Sequence, residues 1–331
     1  MFISSKCFSD IEIKSFIKSR NQKDKCDFTD ETDFVINFEE LLDFFDELLQ
    51  NFTPRENGEE LRDLIQSNWT FFANPKLANI VLNEVINRLN TPFNSAKTLV
   101  NFNEEILKNV GYWEVLKNQL KWENRFFVNS DYLIKDLGWD SFFNSQFDLS
   151  TNQEFYRARV HHEKQGKAYA YKEMNYPKPE KVNGGRANPS GIPYLYLSDR
   201  KETVFYEVRA SYLDEISLAT FKINKDYKNL KVVDFTEDIT LFQPDLHISN
   251  IIKSHLLLRK ISRDLSKPMR RYDSDIEYIP TQFICEFIRV ITGAIGIRFD
   301  SSLDPSGKNI VLFDNKYVDC VNVSLCEVTK L

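Results

Sequence analysis

The sequence predicts an α+β protein: a helical N-terminal domain over 1–148, followed by a mixed α+β domain over 151–331. Three observations carry that prediction. Apolar residues recur at helical spacing through the first half. Beyond residue 150 the texture changes to short β-type runs separated by turn signals. With 331 residues, 42% hydrophobic and 28% charged, the chain has the length for two cores and an ordinary globular composition.

The first 30 residues are polar and charged, hold Cys7 and Cys26, and show no sustained period. In "NFEELLDFFDELLQNF" residues Phe38, Leu41, Leu42, Phe45, Leu48, Leu49 and Phe52 form one apolar stripe, so a helix is expected. Asn37 with Glu40 three positions on suggests a capping box. A second helix is expected in "NPKLANIVLNEVINRL", where Asn74 can cap, Pro75 suits the first turn, and Leu77, Ile80, Val81 and Val85 share a face. "WEVLKNQLKWENRFF" adds a third. In the second half, "FYRARV", "YLYLS", "ISLATFKI", "LKVVDFT", "GAIGIRF" and "NIVLF" read as strands, and "KETVFYEVRASYL" and "YIPTQFICEFIRVI" as helices.

Net charge of −6 weighs against a dedicated nucleic-acid binder. The segment "KSHLLLRKISRDLSKPMRR" is locally basic but reads as helices of the second domain. No apolar run reaches the roughly 18–20 residues that span a bilayer, and the charged N-terminus does not read as a secretory signal. Five scattered cysteines fit reduced thiols better than a disulfide framework. A cytoplasmic protein is expected, with no membrane partner. Two lone cysteines near the N-terminus, with no histidine before His161, do not assemble a tetrahedral zinc site.

Four features could carry chemistry. In "GGRANPSGIPYLYLS", Gly184, Gly185 and Gly191 permit unusual backbone angles around Arg186, whose forked guanidinium suits phosphate oxygens. A connecting loop with an exposed arginine has the same spacing. It is neither a dinucleotide-fold fingerprint nor a Walker loop. In "FYRARV", strand alternation places Phe155, Arg157 and Arg159 on one face, where the arginines must meet water, acid or an anion. Glu207, in "ETVFYEVR", shares a helix face with Thr203 and Val204; it could stabilise positive charge on a sugar carbon, or be an ordinary surface glutamate. Ser301 and Ser302 leave a strand into a turn, with no histidine base nearby in sequence.

Together these features follow one order. "FYRARV", "MNYPKP", "GGRANPSGIPYLYLS", "ETVFYEVR", "LSKPMRRYDSDIEYIPTQF" and "GIRFDSSLDPSGKNIVLF" resemble, over about 180 residues, the RES family, named for its arginine, glutamate and serine, in its long form with a HEPN-like helical N-terminal region. The resemblance implies an ADP-ribosyltransferase-like fold that attacks NAD as substrate: a toxin of a toxin–antitoxin or antiphage system, working as NAD phosphorylase or glycohydrolase. A protein-directed ADP-ribosyltransferase and a non-enzymatic interaction protein that keeps the fold are the alternatives. It implies Arg157, Arg186, Glu207 and Ser301 as catalytic residues, and Arg159, Tyr196 and Ser302 as substrate-binding residues. Ser302 remains the alternative to Ser301. Inorganic phosphate is a possible co-substrate, and no metal is implied. Expected partners are NAD, an antitoxin or regulatory protein, and a second copy in a homodimer. The HEPN arginine–histidine ribonuclease pair is absent, so the helical half is read as scaffold or docking surface.

Overall fold

The computed structural model describes residues 1–163, 166–268 and 274–328. Two compact units divide them: 1–112 with 238–256, and 113–237 with 257–331. This differs from a single cut near residue 150. Residues 238–256 group with the first unit because Leu241, Phe242, Ile248 and Ile252 are buried in its core. Residues 113–148 group with the second, where Gln146–Asp148 is a strand of the main sheet.

The first unit combines helices with short strands, which adds to the helices read from the sequence. A three-stranded antiparallel sheet joins Phe2–Ser4, Thr32–Asn37 and Lys23–Lys25, and Phe52–Glu60 pairs with Leu99–Phe102. The apolar stripe from Phe38 folds as a 3-10 turn, Phe38–Leu41, continued by the helix Leu42–Leu49. Asn37 caps it by accepting from the Glu39 amide at 3.2 Å. Phe52 of that stripe instead opens a strand. Helix Pro75–Arg88 starts as expected, with the Asn74 side chain accepting from Leu77 N at 2.9 Å. Leu77, Val81 and Val85 are buried, whereas Ile80 is exposed at the edge of the stripe. The core is built on phenylalanine: Phe8, Phe44, Phe45, Phe71 and Phe72 meet ring to ring at 4.9–6.5 Å. Such pairs add about 0.5–1.5 kcal/mol each beyond their buried area. Cys7 and Cys26 lie in this core with their sulfurs 3.7 Å apart.

Helices Glu104–Trp122 and Ile248–Ser266 each divide between the units. Among the described residues, no helix is long and apolar enough to cross a membrane.

The second unit is organised by an eight-stranded sheet among the described residues. Its order is Val318–Glu327, Glu215–Ile223, Glu154–Val160, Leu195–Ser198, Lys308–Leu312, Gly296–Asp300, Lys231–Asp234 and Gln146–Asp148. Only Lys231–Asp234 and Gly296–Asp300 pair in parallel. All six expected strands are present, and helix Ile279–Ile291 matches its reading. The helix after "YLYLS" is only seven residues, Lys201–Glu207, and turns away through Arg209 at φ 52°. Phe155, Leu195, Leu197, Phe221 and Ile310 form part of one core. A second one, around Ala158, Val204, Ile216 and Leu218, gathers residues of the Lys201–Glu207 helix against the strands. Of the segment "LSKPMRRYDSDIEYIPTQF", residues 269–273 lie outside those described, as do the last two arginines of the basic segment.

Candidate active site

The glycine turn is held from three sides. Gly185 N donates to Asn188 O at 2.8 Å, and Gly184 N to Ser190 Oγ at 3.0 Å. Helix Ile279–Ile291 adds two contacts through its first residues. Thr281 Oγ1 donates to Arg186 O at 2.6 Å, and Gln282 Nε2 donates to Gly185 O at 2.8 Å. The "TQF" of the sequence thus ties the turn to a helix. Gly185 is required by close approach: a Cβ there would lie 2.6 Å from Tyr196 Oη and 2.7 Å from Asn188 Oδ1. Between those two atoms runs a 2.7 Å hydrogen bond, with Tyr196 Oη donating and also accepting from Ala187 N at 3.0 Å. Burial pushes the Tyr196 phenol up, so it stays protonated. Its hydroxyl is committed to the turn; its ring lines the cavity below.

That cavity holds about 380 Å³ and is lined by Arg157, Arg186, Tyr196, Glu207, Tyr278, Phe299 and Asn309, among others. Four of the seven residues expected from sequence therefore share one pocket wall. The remaining three do not line it. Ser301 reaches Glu207, Ser302 lies 3.4 Å from Arg186 Nη2, and Arg159 donates to the Glu173 carbonyl.

Glu207 ends its short helix, where the exposed carbonyls make the surroundings negative. Two donors offset this: Ser301 Oγ and Asn309 Nδ2, each 2.7 Å from the same oxygen, Oε1. Ser301 is 6% exposed, and its oxygen already accepts from the amides of Leu303 and Asp304, both at 3.2 Å. A hydroxyl has two lone pairs and one proton. With both lone pairs taken, the proton is directed at Glu207, so Ser301 is placed as a donor and not as a nucleophile. The loop that carries it is braced by Thr203 Oγ1 donating to Asp304 Oδ2 at 2.6 Å, which holds the Asp304 carboxyl below its ordinary range. Ser301 thus reaches Glu207, whereas Ser302 lies against Arg186.

The two arginines differ in kind. Arg186 Nη1 donates to the carbonyls of Leu265 at 2.7 Å and Lys267 at 2.6 Å, at the end of helix Ile248–Ser266. Those carbonyls have no partner within the helix, so Arg186 closes it. Its guanidinium also lies 5.5 Å from the Tyr278 ring centre. Arg157 makes one long contact, from Nη1 to Tyr196 O at 3.4 Å, and its buried Nε has no partner among the described residues. Burial first, and the neighbouring Arg159 charge second, push the Arg157 guanidinium down to about 10. No carboxylate is paired with it among the described residues. It is a partly exposed cation whose buried Nε lacks a partner among the described residues.

Tyr278 and Asn309 belong to this site but were not among the expected site residues. Asn309 follows "SGK" with no local motif of its own, and nothing in the pattern of "DIEYIPTQF" set Tyr278 apart from its neighbours. Among the described residues, no group of three or more His, Cys, Asp or Glu is placed to hold a metal ion.

No curated protein matches the chain. The family model described as RES domain matches residues 154–328, from the strand that carries Arg157 to the end of the sheet. With more than half the chain matched, the protein belongs to the RES family.

Proposed function

We propose that the chain degrades NAD by cleaving the nicotinamide–ribose bond, with phosphate or water as acceptor. The observation that carries this reading is the pairing, across one cavity, of the uncompensated Arg157 cation and the oriented Glu207 carboxylate. A pyrophosphate supplies the anion that Arg157 lacks, through charge-assisted contacts. Nicotinamide in NAD is already cationic, so its departure needs no general acid. As the bond breaks, positive charge develops on the ribose carbon, and a fixed carboxylate stabilises it or holds the ribose hydroxyls. Tyr196 offers a ring face to the base because its hydroxyl is occupied. Depletion of NAD would make such an enzyme toxic to the cell that holds it.

Incubation of the purified chain with NAD, with and without inorganic phosphate, tests the reading. Loss of NAD that Glu207→Gln abolishes is expected. ADP-ribose 1″-phosphate would identify phosphate as acceptor, and ADP-ribose water. Label carried from NAD to protein would instead place the chain among protein-directed ADP-ribosyltransferases. NAD left intact under every condition overturns the proposal.

A further inference from the structure

We infer that Asn309 is the positioning residue of this site: with Ser301 it pins Oε1 of Glu207, so that Oε2 alone is presented to the substrate. The reaction it serves is the one proposed above, and the inference rests on that reading for its chemistry.

Three observations support it. Both donors converge on one carboxylate oxygen, each at 2.7 Å, while Oε2 has no donor among the described residues. A carboxylate held at one oxygen by two donors cannot rotate without breaking both bonds, so its second oxygen has a fixed direction. Asn309 also sits on the most constrained element near the site. It lies 7% exposed on strand Lys308–Leu312, which is paired on both sides, with Asn309 opposite Ser198 and Phe299. Ser301, by contrast, sits on a loop. Finally, an amide nitrogen is a donor only, and it does not titrate. It holds negative charge at a helix C-terminus, where the helix itself disfavours it.

A residue that merely filled space would behave differently on substitution. Asp is isosteric with Asn but replaces the donor with a second carboxylate 2.7 Å from the first, and two such groups cannot both ionise without strong cost. If Asn309 acts as a donor to Glu207, Asn309→Asp must be the more damaging change and Asn309→Ala the milder one. If Asn309 is only a shape, the order reverses.

The test compares Asn309→Ala, Asn309→Asp, Glu207→Gln and the Asn309→Asp/Glu207→Gln pair in the full chain, at mildly alkaline pH. For NAD loss, Asn309→Ala should lower kcat by about ten- to hundredfold, the loss expected from misorienting a catalytic group, with KM little changed. Asn309→Asp should fall further. Melting temperature, which needs no substrate, should drop with Asn309→Asp and recover when Glu207→Gln removes the opposing charge. Asn309→Asp equal to or milder than Asn309→Ala in kcat overturns the inference. So does a melting temperature that Glu207→Gln fails to rescue. Should the wild-type chain leave NAD intact, the NAD reading fails by itself, and the rescue measurement still decides whether Asn309 holds Glu207.

Discussion

Replacing Arg157 with Met should make the protein more stable and less able to act. The side chain carries a positive charge into a wall where, among the described residues, it finds one long hydrogen bond and no carboxylate. Its guanidinium is pushed down to about 10, and at about 1.36 kcal/mol for each tenfold change in proton affinity the charge costs the folded state on the order of 3 kcal/mol. The sign follows from linkage. The folded form binds this proton less tightly than the unfolded chain, so the cost is fully present below about 10 and fades only as pH rises beyond that. It is therefore constant across the neutral range. Methionine retains most of the apolar stem and adapts to irregular gaps, while loss of the Tyr196 carbonyl contact subtracts about 1 kcal/mol. The net gain is about 2 kcal/mol, and for a unit of this size each kcal/mol raises the melting temperature by about 2–4 °C. Thermal unfolding of wild type and Arg157→Met, with NAD turnover measured beside it, checks both halves. A variant that melts below wild type would refute the reasoning, because it would make Arg157 a structural residue.

The other predictions concern residues whose partners are visible. Arg186→Ala should do the opposite of Arg157→Met, costing about 2–4 kcal/mol as two charge-assisted bonds to the Leu265 and Lys267 carbonyls are lost; urea unfolding with a cost under half of that would count against the helix-closing role. Gly185→Ala should cost about 1–3 kcal/mol through overpacking against Tyr196 Oη and Asn188 Oδ1. Tyr196→Phe, which removes the nearer of those atoms, should recover part of that loss in the double variant, and additive losses would contradict the contact. In the first unit, Asp10 receives the amides of Glu12 and Ile13 on one oxygen and those of Leu241 and Phe242 on the other. Asp10→Ala should therefore cost about 2–4 kcal/mol, since four backbone donors, three of them buried, lose their acceptor, and circular dichroism melting reads it.

The strands of the second unit were legible because each is a short β-branched or aromatic run bounded by turn residues. The two that escaped lack that signature. Gln146–Asp148 is three residues long, and Val318–Glu327 carries a register shift between Cys320 and Asn322 that breaks its alternation. The boundary near 150 marked a change of texture, but burial does not respect texture: Leu241 and Phe242 join the phenylalanine core across more than a hundred residues of chain. At the site, residue types were readable and partners were not. Ser301 and Ser302 are identical side by side in sequence; only the two amides on the Ser301 oxygen give its proton a direction.

The arginines carry that point furthest. In sequence Arg186 is the more suggestive of the two, flanked by glycines in a turn, while Arg157 is one of a pair on an ordinary strand. In the fold the glycines serve a close approach to Tyr196, and Arg186 spends two donors on helix carbonyls. Every bond that a side chain makes within the protein is one it need not make with a substrate. Folding alone would pair Arg157 or leave it in water, because a partly buried charge without a partner opposes the folded state. Its place in one cavity with Glu207, whose carboxylate is held at one oxygen, fits the anionic substrate proposed above. The arginine with fewest protein partners is thus the stronger candidate for the substrate's phosphates.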